Sequence, residues 1–138
     1  MNKKIFIASD HAGYEMKTAL KDHFLSFIDL GTNSIDSVDY PDFAHKLTNE
    51  VLTNDESLGI LICGTGVGMS IAANRSEGIR AGLVNSIEVA RLIRQHNDAN
   101  VLVIPGRFME YEEAKNCVKA FIDTQFEAGR HKKRVEKI

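Results

Sequence analysis

The sequence predicts one doubly wound α/β domain: a five-stranded parallel sheet with helices on both faces. Three observations predict it. The chain has 138 residues, the length of one ordinary domain with one core. Short apolar, β-rich runs alternate along it with segments of helical periodicity. The apolar runs are nearly continuous, the mark of strands buried on both faces of a parallel sheet.

The elements follow in order. Residues 4–9 read as a strand, and residues 13–27 carry Met16, Leu20, Phe24 and Phe27 at helical spacing. Residues 28–30 form a short second strand, and Phe43, Leu47 and Val51 give one face of a helix that follows Pro41. Residues 58–62 are a third strand, followed by a glycine loop and a helix to about residue 75. Residues 79–84 and 101–104 are two further strands, separated by a helix around residues 87–94. Ala114, Cys117, Val118, Phe121 and Phe126 line a long helix, and residues 129–138 form a helical tail. The whole chain, 1–138, is thus a single Rossmann-like domain. In such sheets ligands bind beyond the carboxyl ends of the strands where the strand order reverses, and in the common 2-1-3-4-5 order that crevice lies between strands one and three. Strand one ends in "SDHAG", with Asp10 and His11, and strand three ends in "CGTGVG", with Cys63. A small-molecule site is expected there.

Composition excludes several functions. Lys and Arg total 17 against 19 Asp and Glu, a formal charge of −2, so there is no basic field for nucleic acid or an anionic membrane. The longest apolar runs, residues 5–8 and 59–63, are far short of the roughly 20 residues of a membrane span. Lys3 and Lys4 precede too short an apolar stretch for a signal peptide. A cytoplasmic protein is expected, with Cys63 and Cys117 as free thiols. The carboxylates and histidines show no ligand cluster at helical or hairpin spacing, so neither a metal nor another cofactor is expected.

The loop "CGTGVGMS" fits none of three better-known glycine loops. Met69 stands where a dinucleotide fingerprint has its third glycine, no lysine follows Gly68 as a P-loop requires, and Met69 also occupies the position of a thiol phosphatase's arginine. What remains is simple chemistry. Gly64, Gly66 and Gly68 let the backbone turn closely, and its N–H groups with the following helix start form a nest for negative charge. A helix N-terminus also favours thiolate in a cysteine at its mouth. Two roles for Cys63 stay open on these residues alone: a base or nucleophile beside an oxyanion nest, or a small buried apolar residue on a tight turn.

Five motifs carry a family resemblance: "SDHAGYEMK", "DYP", "ILICGTGVGMSIAAN", "RQHNDANVL" and "GRHKKRV". In this order, spanning the chain, they resemble the type B ribose-5-phosphate isomerase family, which also includes galactose-6-phosphate and allose-6-phosphate isomerases. The resemblance implies interconversion of a phosphorylated aldose and ketose, ribose 5-phosphate and ribulose 5-phosphate, through an enediolate. It implies Cys63 as the base, Thr65 as a hydrogen-bonding neighbour, and the N–H groups from Gly66 through Val67 and Gly68 to Ser70 as oxyanion donors. It implies His96 as the group that opens the sugar ring and Asn97 as a contact to the hydroxyls. Asp10 would touch the sugar while also serving as a helix N-cap, and Tyr40 would line the pocket. His11, Arg107, Arg130 and Arg134 would hold the phosphate, the last two at an i, i+4 spacing on one helix face. Pro105 and the bulky Phe108 flank Arg107 and alter its surroundings. Lys132, Lys133 and Lys137 read as a solvated tail, and Cys117 and the side chain of Met69 as core.

His96 follows a helix and precedes a strand, which in a parallel sheet puts it at the edge opposite Cys63. The expected assembly is a two-fold homodimer or higher oligomer with sites shared between chains, His96 and Asn97 coming from the partner. Which chain supplies Arg130 and Arg134 stays open. Two other readings share these residues: an isomerase of six-carbon sugar phosphates, and a sensor that binds a phosphorylated metabolite without turning it over.

Overall fold

The structure is a computed structural model and describes residues 3–138. Strands β1 Ile5–Ser9, β2 Ile28–Asp29, β3 Leu58–Cys63, β4 Ala81–Leu83 and β5 Val101–Pro105 form one parallel sheet. Helices α1 Tyr14–His23, α2 Tyr40–Thr53, α3 Val67–Ala73, α4 Ile87–Asn97, α5 Tyr111–Asp123 and α6 Arg130–Val135 complete the chain.

The strand order is β2-β1-β3-β5-β4, so the expected 2-1-3-4-5 order is corrected at its last two positions. The reason lies in the strands themselves. All five residues of β5, "VLVIP", are buried, as a strand with a neighbour on each side must be. The three residues of β4, "AGL", are partly or fully exposed, and a short, glycine-containing strand suits a sheet edge. This exchange has a topological consequence. Right-handed crossovers place α2 and α3, which lead away from β2 and β3 in one direction, on one face. They place α1 and α4, which lead in the other direction, on the opposite face.

Two cores record that division. Ile5, Ile7, Leu58, Ile60, Ile62, Leu102 and Ile104 face one way, onto Leu20 of α1, Ala90 of α4 and Ala114, Val118 and Phe121 of α5. Phe6, Ala8, Leu61, Cys63, Val101 and Val103 face the other way, onto Ala44, Leu47 and Val51 of α2 and Met69, Ala72 and Ala73 of α3. Side chains alternate with the period-2 of a strand, and both sets are apolar because both faces are covered.

Some boundaries differ from those expected. α1 stops at His23, and Phe24 and Phe27 pack beyond it as parallel stacked rings 4.7 Å apart. α5 stops at Asp123, leaving Phe126 outside any helix and half-buried. Ala128 at φ 58° and Gly129 at φ 52° then turn the chain into α6. Pro41 sits inside the first turn of α2 rather than before it, where its missing donor is not needed. α4 extends to Asn97 and ends at Asp98, whose φ of 46° is left-handed. Buried Arg94 holds this end. It donates to Asp98 Oδ1 at 2.8 Å, to Ala99 O at 2.6 Å and to Thr124 O at 3.2 Å.

A second buried cation, Lys17 of α1, is 1% exposed and donates to both carboxylate oxygens of Asp29 at 2.8 Å. Burial alone would raise the Asp29 pKa, but hydrogen bonds from Lys17, the Gly31 N–H and Lys21 outweigh it and hold it below its ordinary value. Such a carboxylate contributes stability above pH of about 3.8 that is lost as pH falls through its lowered folded-state value. Asp29→Asn leaves Lys17 buried without its counter-charge and should cost about 3 kcal/mol in urea unfolding at pH 7, whereas Lys17→Met should cost far less. Equal losses in the two variants would contradict this account.

Candidate active site

The carboxyl ends of β1 and β3 lie side by side, Ser9 opposite Ile62, so "SDHAG" and "CGTGVG" meet at the point where the strand order reverses. Cys63 ends β3 with its side chain turned to the α2 and α3 face, 5% exposed and unpaired in any disulfide. Its carbonyl accepts from the Gly106 N–H at 2.8 Å, and the Gly64 carbonyl from the Arg107 N–H at 3.0 Å. These bonds tie the glycine loop to the end of β5.

Loop shape depends on glycine at two points. Gly66 has φ 79°, and a Cβ there would sit 2.4 Å from Leu83 Cδ1. A Cβ on Gly68 would sit 2.6 Å from the Tyr40 ring, so Tyr40, at the start of α2, lies directly against the loop. Thr65 Oγ1 accepts from the Val67 N–H at 3.2 Å, and the Ser70 N–H bonds to Gly66 O at 3.0 Å. The expected run of oxyanion donors is therefore narrower: Val67 and Ser70 have committed their N–H groups within the loop. Gly66, Gly68 and Met69 make no such bond, and theirs are the N–H groups of that run left for a ligand. Thr65 likewise caps the turn while its side chain stays at the surface. Met69 is fully buried in the core, as expected.

Asp10 caps the turn His11–Gly13, accepting from the Gly13 N–H at 3.1 Å through Oδ1. His11 Nδ1 accepts from the Val38 N–H at 3.1 Å, which leaves Nε2 as the ring's other hydrogen-bonding atom. A 610 Å³ cavity between the start of α1 and the segment after β5 is lined by His11, Arg107, Gly106, Glu15 and Glu110 among others, with no residue of the glycine loop in its wall. Arg107 lies against Gly64, whose Cβ would meet its Nη1 at 3.3 Å. Phe108 points outward, 74% exposed, away from this contact. Glu15 and Glu110, which bring negative charge to the rim, were not expected from the sequence, since surface carboxylates carry no signal of their own.

The other predicted residues gather elsewhere. His96 and Asn97, at the end of α4, line a 270 Å³ cavity with Arg134, Val135, Ile138 and His131. Arg130 is exposed at the start of α6. This second group lies at the amino edge of the sheet, since α4 leads into β5, and on the α1 and α4 face. Cys63 is at the carboxyl edge and on the other face. The five-residue β5 alone separates the two edges by roughly 13 Å. Within one chain the predicted site is in two halves.

His96, Glu127 and His131 bring ligand atoms within 4.8 Å of one another; Glu127 and His131 are four apart in sequence, and His96 joins them from α4. His131 is pushed below its ordinary pKa by burial and by the charges of His96 and Arg130.

Comparison with known proteins places these features in a family. The Ribose/Galactose Isomerase family profile matches residues 5–138. The chain belongs to the ribose/galactose isomerase family. It is 44% identical to the ribose-5-phosphate isomerase B of Escherichia coli, over 99% of this chain and 94% of that one. A ribose 5-phosphate isomerase from Thermotoga maritima superposes with a TM-score of 0.96 at 50% identity, covering 99% of this chain and 97% of its own. The ribose-5-phosphate isomerase B of Mycoplasma genitalium, solved with bound ribulose-5-phosphate, superposes with a TM-score of 0.95 at 45% identity over 99% and 94%.

The left-handed turn at Gly66 is open to direct test. Gly66→Ala should cost at least about 1–2 kcal/mol in chemical denaturation from backbone strain alone, with the contact to Leu83 adding to it. A variant as stable as the parent would show that the loop takes another conformation.

Proposed function

We propose that this isomerase-family chain interconverts ribose 5-phosphate and ribulose 5-phosphate, a pentose phosphate reaction, through an enediolate with Cys63 as the base. Cys63 carries this reading. It is a free thiol at the mouth of the crevice, beside a loop whose Gly66, Gly68 and Met69 N–H groups are uncommitted. Proton abstraction beside a carbonyl leaves negative charge on oxygen, and preorganised backbone donors are the groups that stabilise it. In this reading Asp10 and Tyr40 contact sugar hydroxyls, and His11 and Arg107 supply hydrogen bonds and positive charge to the phosphate.

Ring opening needs a second acid-base group, and His96 has the right chemistry at the wrong end of its own sheet. The reading therefore includes a two-fold homodimer or larger assembly in which His96, Asn97 and the α6 arginines Arg130 and Arg134 complete the partner's site. An apolar surface beside the loop supports it. Val67 and Ile71, one turn apart on α3, are 48% and 57% exposed, and Leu83 on the edge strand is 37% exposed. Leu83 touches Gly66, so this patch is continuous with the loop, and burying it against a second copy brings a partner to Cys63. No helix among the described residues is long and apolar enough to cross a membrane, and the two buried free thiols accord with a cytoplasmic protein.

The test is ketose formation from ribose 5-phosphate in excess EDTA, with galactose 6-phosphate as a second substrate. Turnover should persist in EDTA and fall by at least about 10³-fold in Cys63→Ala, with ligand affinity little changed. Turnover only of the six-carbon sugar would overturn the substrate, and binding of ribose 5-phosphate without turnover would make the chain a sensor.

A further inference from the structure

We propose that His96, Glu127 and His131 form a capture site for a divalent transition ion of the zinc type, and that an ion held there takes His96 out of use. The second clause rests on the catalytic reading of His96; the first does not. The ligand atoms of the three side chains lie within 4.8 Å of one another. The two imidazoles stack with centroids 4.4 Å apart and planes 16° apart. His131 is 7% exposed, and its Nε2 is buried without a hydrogen-bond partner. Glu127 Oε1 stands 3.9 Å from it, too far for a hydrogen bond. A buried ring nitrogen left without a partner is rare and marks a place where something else can bind.

The chemistry fits a borderline transition ion. Two imidazoles and a carboxylate are a known zinc ligand set, with bonds of about 2.0–2.2 Å, which puts tetrahedral ligand atoms roughly 3.4 Å apart. The three groups need to close by about 1.4 Å at most. Glu127 can supply most of that movement. Its side chain is half-exposed and belongs to the irregular stretch between α5 and α6, while its N–H, bonded to Gln95 O at 3.1 Å, keeps it beside His96. The adjoining 270 Å³ cavity leaves room for a water as fourth ligand. Imidazole nitrogen selects zinc, cobalt or nickel over magnesium and calcium, which prefer oxygen. Arg134 lines the same cavity and Arg130 stands close by. Both oppose a cation, which sets the affinity below that of a closed structural zinc site, and the Glu127 carboxylate offsets one of them.

The test uses the full chain carrying Cys63→Ala, so that no thiolate at the crevice competes for metal. Zinc affinity is measured against a chromophoric chelator, and cobalt is bound in parallel for its visible spectrum. One ion per chain is expected, with tetrahedral cobalt bands and no thiolate charge-transfer band. Adding Glu127→Gln or His131→Gln should weaken zinc binding by at least about tenfold. Glu127 is at the surface, so its variant is not expected to disturb folding. In the parent chain, zinc should inhibit turnover reversibly by EDTA, and Glu127→Gln should raise the zinc concentration needed by at least about tenfold. Binding that vanishes with Cys63→Ala, or that neither Glu127→Gln nor His131→Gln weakens, would overturn the site. Metal binding is read without substrate, so a chain that binds zinc in this way but turns over no sugar phosphate upholds the site and overturns only the catalytic reading.

Discussion

The handedness of the βαβ crossover governs how this molecule distributes its chemistry. Because β5 inserts between β3 and β4, the helix joining β4 to β5 must cross the face opposite α3. The glycine loop and Cys63 are consequently left on one face at the carboxyl edge. His96, Asn97 and the α6 residues are left on the other face at the amino edge. Had the sheet run in the 2-1-3-4-5 order, α4 would lie on the same face as α3, and the two groups would differ only in edge.

Each half is held by its own local physics. At the carboxyl edge, glycine is required where the backbone turns left-handed at Gly66 and where Tyr40 presses on Gly68. Bonds from Gly106 and Arg107 to Cys63 and Gly64 fix the loop to β5. At the amino edge the corresponding part is Arg94. Its guanidinium joins the end of α4 to Ala99 and to Thr124, and so keeps His96 and Asn97 in step with the segment that carries Glu127 into α6. Rigid placement of both halves matters more than their separate strengths, since reacting groups must be held within a narrow range of positions.

Much of this was legible in the residues. Strand alternation was visible because buried parallel strands are apolar on both faces, and the meeting of "SDHAG" with "CGTGVG" followed from where parallel strands end. The order of the last two strands was not legible, because it depends on which strand has two neighbours. The burial of all of "VLVIP" against the exposure of "AGL" shows that only once the sheet is assembled. Phe126 had the spacing of the α5 stripe, but the chain leaves the helix at Thr124, whose hydroxyl bonds back to Ala120 O at 2.6 Å. Arg94 was missed because a buried arginine looks like a surface one in sequence. The Glu127 and His131 pair was present at i, i+4 spacing, but its third member, His96, comes from another helix. Among the predicted site residues, Asp10, His11, Tyr40 and Arg107 do gather around the loop that follows Cys63, and His96, Asn97 and Arg134 gather around one cavity. Under the proposed function, a second copy of the chain brings the two groups together.

That division is tested most directly by mixing two inactive proteins. Chains carrying Cys63→Ala and chains carrying His96→Ala are combined under conditions of verified subunit exchange, and ribose 5-phosphate isomerisation is followed. Random pairing makes half the dimers hybrid, each with one intact site and one doubly defective one, so activity should return to about a quarter of the parent's. A fully exchanged mixture no more active than its two components would contradict the shared site and require His96 to act, if at all, within its own chain.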